Sequence, residues 1–134
     1  MHKTLFSFLL ISTFFYAQTS LNHVVYFDTD KFNIIETEKN RLINFIDSLN
    51  NKTIKKINIY GFCDDRGTDQ YNLILSQKRA DAIKNIFQFT NTDLNLISNV
   101  DGKGEILLKK INTKDINTLR SLNRKVEIEI ELFE

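Results

Sequence analysis

Hydrophobic and polar positions along the chain change period several times, and each change marks an element. Val24 to Phe27 is a β-branched and aromatic run bounded by Asn22 and by Asp28 to Asp30, which predicts a first strand. From Glu36 to Leu49 the apolar residues Leu42, Phe45, Ile46 and Leu49 recur at helical spacing, while Glu36, Glu38, Lys39, Asn44 and Ser48 take the other faces. That predicts a first helix. Ile57 to Tyr60 alternates and predicts a second strand ending at Gly61. Leu75, Arg79, Ala82, Ile83, Ile86 and Phe87 then set out a second helix. A third strand falls at Leu96 to Val100, before Asp101-Gly102-Lys103-Gly104, and a short helix in the polar segment Asn112 to Asn123. Val126, Ile128 and Ile130 alternate with Glu127, Glu129 and Glu131 in a final strand. The order is βαβαβ plus a last strand. Two helices that must each bury one stripe against a sheet give an α/β fold, a two-layer α+β sandwich.

The first 17 residues read differently. Met1 to Ala17 has Lys3 near its start, an apolar stretch from Leu5 to Phe15, and a small residue before polar Gln18, the layout of a secretory signal peptide. The apolar stretch is about half of the ~20 residues a membrane-spanning helix needs. The expected organisation is a signal peptide at 1–17 and one domain at 18–134, with an exported, periplasmic location. No cysteine follows the apolar stretch to carry a lipid.

Composition then removes function classes. The chain has 134 residues, 42% hydrophobic and 26% charged, with a net charge of +1. Losing Lys3 with the leader makes the remainder formally neutral, so no basic field draws in nucleic acid. The single cysteine, Cys63, excludes an internal disulfide framework and a thiolate zinc cluster, and no cofactor is called for.

Candidate chemistry lies in Gly61 to Ala82. The second strand delivers Asp64 into a loop, and the second helix brings Arg79 back towards it. An anion and a cation at one strand-to-helix junction suit a zwitterion, because a guanidinium holds a carboxylate and a carboxylate accepts from an ammonium. The same spacing also allows Asp64 and Arg79 to pair with each other. Leu75, one turn before Arg79, lies on the same helical face and lines the wall of such a site. Asp65 and Arg66 read as solvated turn residues, Gly67 as a residue of positive φ, Cys63 as a small buried residue and His23 as a surface residue.

These residues resemble the OmpA-like peptidoglycan-binding domains, in the branch of the peptidoglycan-associated lipoproteins. The likeness rests on VVYFDTDKFNI at Val24 to Ile34, on Gly61-Phe62-Cys63-Asp64-Asp65-Arg66-Gly67-Thr68 followed by Tyr71-Asn72-x-x-Leu75-Ser76-x-x-Arg79-Ala80, and on Gly102-x-Gly104-Glu105 with Arg120-x-x-Asn123-Arg124-Lys125-Val126. It spans nearly all of the chain after the leader. Phe62 stands where the family usually has His, Lys125 replaces a second arginine, and the segment after Glu105 lacks a proline.

The resemblance implies non-covalent binding of the peptidoglycan stem peptide through meso-diaminopimelate, by a periplasmic, outer-membrane-associated module of a Gram-negative envelope. Outer-membrane or envelope-complex proteins are implied as further partners. Asp64 would accept the ligand's ammonium and Arg79 hold its carboxylate, with Asp28, Asn72 and Arg124 as secondary contacts and backbone amides around Cys63 as donors. An enzyme is not expected: a hydrolase would need its acid and base from Asp28, Asp64 and Asp65, and a carboxylate facing an arginine stays ionised. A scaffold that keeps the fold without the ligand is the other alternative.

Overall fold

A computed structural model describes residues 19–108 and 115–133. The predicted signal peptide and the first part of the Asn112 to Asn123 segment lie outside them. The elements are β1 (Ser20–Tyr26), α1 (Glu36–Asp47), β2 (Ile54–Cys63), α2 (Asp69–Phe89), a 3₁₀ turn (Leu94–Leu96), β3 (Ile97–Glu105), α3 (Ile116–Asn123) and β4 (Lys125–Leu132). The strands form one mixed sheet in the order β1-β4-β2-β3, with β2 and β3 parallel and the other pairs antiparallel. This is the predicted two-layer α/β arrangement.

Alternation decides which face of the sheet is covered. Val126, Ile128, Ile130 and Leu132 of β4 are buried with Val25, Ile57 and Ile59, and they meet Leu42, Ile46 and Leu49 from α1's side and Ala80, Ile83 and Phe87 of α2 in one core. Glu127, Glu129 and Glu131 alternate with these buried positions and so stand on the opposite face, as an antiparallel sheet with one wet side allows.

Three predicted boundaries are corrected. β1 starts earlier, at Ser20. β2 does not stop at Gly61 and β3 does not stop at Val100; both run through their glycines, to Cys63 and Glu105. The reason is close packing. A Cβ on Gly61 would lie 2.0 Å from the carbonyl oxygen of Ser76, and one on Gly102 would lie 2.4 Å from the backbone nitrogen of Gln77. These glycines are seats for α2, and strand glycines often mark such an approach. Side chains lock the contact: the Gly102 N–H donates to Gln77 Oε1 at 2.8 Å and the Gly104 N–H to Ser76 Oγ at 2.9 Å.

His23 is half-buried, not the surface residue expected. It pairs in register with Ile128, its ring stacks on Phe45 with centroids 4.7 Å apart, and its Nε2 is buried with no hydrogen-bond partner. Burial, helped by the nearby Arg41 charge and opposed by Glu38, pushes its pKa below the usual 6.5.

Two outcomes follow from this packing. Gly61→Ala should lower unfolding stability by about 2 to 3 kcal/mol, because the new methyl meets backbone that cannot step aside; an unchanged denaturation midpoint would contradict the close seat of α2. Since the unfolded chain protonates His23 before the folded one does, stability should fall as pH drops below about 6.5, and denaturant titrations of His23→Leu should show a flatter dependence than the parent.

Candidate functional site

The site forms where β2 hands over to α2. Gly67 turns the chain at φ 91°, Thr68 caps the helix by accepting from the Tyr71 N–H at 3.1 Å, and Asp69 places an acid in the first turn. From there Asn72, Leu75, Ser76 and Arg79 recur on the buried stripe of α2. The helix is held against β2 and β3 by the glycine seats, so Arg79 arrives beneath the loop that follows β1.

Arg79 is 1% exposed. Its Nε donates to Lys31 O at 2.8 Å, Nη1 to Phe62 O at 2.9 Å and to Cys63 Sγ at 3.6 Å, and Nη2 to Asp28 O at 3.0 Å. Cζ lies 5.2 Å from the centroid of the Phe27 ring. Of the five N–H donors of a guanidinium, one on Nη2 remains. Every acceptor is uncharged, and among the described residues no carboxylate comes within ion-pair distance of Arg79. Burial accordingly pulls its pKa down, although Cys63, Asp64 and Asp30 partly offset that.

Asp64 is the opposite case, an anion crowded by cations. Oδ1 accepts from the Arg66 N–H at 3.0 Å and from Arg66 Nε at 3.2 Å; Oδ2 accepts from Arg66 Nη2 at 2.7 Å and Arg124 Nη1 at 3.4 Å. Burial alone would raise its pKa, but the bonds from Arg66 and Arg124 outweigh it and hold the carboxyl below the ordinary range. Asp65 is paired too, through Arg120 Nε at 2.8 Å and Nη2 at 3.2 Å, which lowers its pKa and ties α3 to the loop.

Asp64 and Arg79 therefore do not pair with each other, yet both line one cleft. Its other walls are Asp30, Cys63, Arg66, Asn72, Leu75 and Arg124, and the enclosed space of about 10 Å³ has room for one water. It adjoins a shallower cleft of about 230 Å³ lined by Thr29, Asp30, Asp64, Arg66 and Gly67.

The OmpA family pattern matches residues 26–124, which takes in β1's last residue, the whole cleft and the tail arginines. The chain belongs to the OmpA family. It is 33% identical over 82 residues to a peptidoglycan-associated lipoprotein of Pasteurella multocida, a match covering 58% of this chain and 52% of that protein. The chain thus spans about half the length of that curated relative. Among solved structures, the OmpA-like domain of FopA1 from Francisella tularensis superposes with a TM-score of 0.67 at 22% identity, covering 84% of this chain and 73% of that one. The peptidoglycan-associated lipoprotein of Burkholderia pseudomallei gives 0.59 at 23%, covering 83% and 89%. Both show the OmpA-like fold.

Of the residues singled out in the sequence, Asp64, Arg79, Cys63, Asn72, Leu75 and Arg124 converge on this cleft. Asp28 is not among the residues lining the cleft; it touches Arg79 through its carbonyl oxygen and lines a neighbouring hollow with Tyr26, Thr37 and Leu122. Cys63 is 2% exposed, burial raises its pKa, and its thiol donates to Asn72 O at 3.4 Å. Phe62 contributes a carbonyl to Arg79 while its ring sits under Lys125 Nζ, 5.6 Å away, so the aromatic in place of histidine does not line the cleft.

Two cleft residues were missed. Arg66 is the exposed turn residue expected, but it is also the main partner of Asp64; the signal was the Asp-x-Arg spacing, which lets a loop carboxylate bond the backbone and side chain two residues on. Asp30 holds φ 57° and accepts from the Tyr71 hydroxyl at 3.2 Å. Aspartate is among the few residues that take this conformation readily.

The bonds already made by the Arg79 fork have a consequence for mutagenesis. Arg79→Lys should lower stability by about 3 kcal/mol, since one ammonium cannot serve carbonyls contributed by the Asp28 to Lys31 turn and by β2 together. Thermal denaturation of the variant checks this, and a parent-like transition would show that the turn does not depend on the guanidinium.

Proposed function

We propose that this domain binds peptidoglycan non-covalently, taking the diaminopimelate of the stem peptide into the Asp64–Arg79 cleft, and tethers to the cell wall without catalysing a reaction. The observation that carries the reading is Arg79: a buried guanidinium satisfied by uncharged acceptors, with a donor left over, in a cleft that also holds an ionised carboxylate. A ligand ending in an α-amino acid supplies both complements, its carboxylate for Arg79 and its ammonium for Asp64. Lysine at that place in the stem has no side-chain carboxylate and leaves Arg79 as it is, which gives a physical basis for discrimination. The name of the Pasteurella relative, a peptidoglycan-associated lipoprotein, supports the same ligand. The leader expected from the sequence at 1–17 would fit export to the periplasm, where this wall is found.

Catalysis has little to work with here. Asp64 is held ionised by two arginines, which suits an acceptor of hydrogen bonds and not a general acid. Binding at one such cleft is modest, and a polymeric wall supplies many neighbouring copies that raise the effective concentration.

Co-sedimentation with purified diaminopimelate-type sacculi tests the proposal. The parent protein should pellet, free meso-diaminopimelate should release it while lysine does not, and Asp64→Asn should lose about tenfold or more in apparent affinity. Release of soluble muropeptides would replace the reading with a hydrolase, and failure of the folded parent to pellet would leave a scaffold.

A further inference from the structure

We infer that Arg66 is a built-in competitor for the ligand, a side chain that occupies the ammonium position at Asp64 and must swing out before the cleft can fill. This rests on the binding mode proposed above and adds a regulatory element to it.

The inference comes from counting acceptors. An ionised carboxylate offers about four lone-pair positions. At Asp64 four donors take them: the Arg66 N–H and Nε on Oδ1, and Arg66 Nη2 and Arg124 Nη1 on Oδ2. An incoming ammonium has to displace one. The Arg66 N–H belongs to the loop backbone and cannot leave alone. Arg124 is 16% exposed and anchored separately, its Nε donating to Phe27 O at 3.0 Å. The Arg66 side chain is 44% exposed, while its partner Asp64 is 7% exposed, and its other hold is a long contact from Nη2 to Thr29 Oγ1 at 3.4 Å. It is the donor that can go.

Space gives the same answer independently. With Arg66 in place the enclosed part of the cleft has room for one water, whereas the adjoining open cleft, walled partly by Arg66 itself, is far larger. Swinging this side chain outward joins the two and frees one acceptor position on each oxygen of Asp64, Oδ1 keeping the Arg66 N–H and Oδ2 keeping Arg124. Gly67, next in the chain at φ 91°, places the turn immediately after it.

Competition of this kind lowers apparent affinity by the fraction of molecules in which the site is open. The factor is common to every ligand that needs Asp64, so it does not sharpen discrimination among amines. Its effect is a threshold: ligands that gain only the ammonium contact fall out of the useful range, and one that also reaches Arg79 stays within it.

Calorimetric titration of the folded domain with meso-diaminopimelate tests this, using Arg66→Gln and Arg66→Lys. We expect Arg66→Gln to bind about tenfold more tightly than the parent and Arg66→Lys to fall between. Pimelate, the same dicarboxylate without amines, should bind Arg66→Gln no better than the parent, which separates release of Asp64 from a general change in charge. If the parent binds and Arg66→Gln binds equally or more weakly, Arg66 is a support or a ligand contact and the inference is overturned. If neither protein binds while both are folded, the binding mode itself fails and this inference with it. Should Arg66→Gln not fold, the same comparison is made with Arg66→Lys, where affinity at or below the parent's overturns the inference.

Discussion

A guanidinium drawn into the interior of a small domain must find acceptors for its donors, and Arg79 finds them in three backbone carbonyls from two separate parts of the chain. Lys31 and Asp28 belong to the turn after β1, and Phe62 to the end of β2. One side chain therefore staples the β1 turn to the sheet and closes the cleft from below. The cost of burying it is met by hydrogen bonds and by the Phe27 ring, not by a direct counter-charge, and the proposed binding of a carboxylate relies on that imbalance.

The rest of the architecture can be understood as what brings that residue there. α2 reaches close enough only because Gly61 and Gly102 leave no side chains between helix and strands, and Ser76 and Gln77 then tie the helix to β3. The loop between β2 and α2 hangs over the result. Its acids are all answered by arginines, Asp64 by Arg66 and Arg124, Asp65 by Arg120, so a chain with a net charge of only +1 concentrates alternating charges within one mouth. Local pairing and not a long-range field shapes what such a mouth accepts.

Much of this was legible in the sequence, for identifiable reasons. β4 shows its two faces because glutamates alternate with branched apolar residues, and α2 shows its stripe because Leu75, Arg79, Ile83 and Phe87 keep helical spacing. The convergence of Asp64 and Arg79 could be read from a strand-to-helix junction. The strand ends could not, since a glycine that seats a helix looks the same in sequence as one that breaks a strand. Nor could the partners of Arg79, which lie 48 and 51 residues away in the chain and are backbone atoms, without any side-chain signature. The half-burial of His23 has no local signature either, since its neighbour Phe45 comes from the next element.

Residue-resolved chemical shifts during titration with meso-diaminopimelate address the central claim most directly. If the cleft receives the zwitterion, the side-chain Nε–Hε signals of Arg79 and Arg66 and the backbone amides of Asp64 and Gly67 shift and saturate together, while those of Glu127, Glu129 and Glu131 on the opposite face stay still. Saturable shifts confined to that opposite face, or none anywhere, would contradict it.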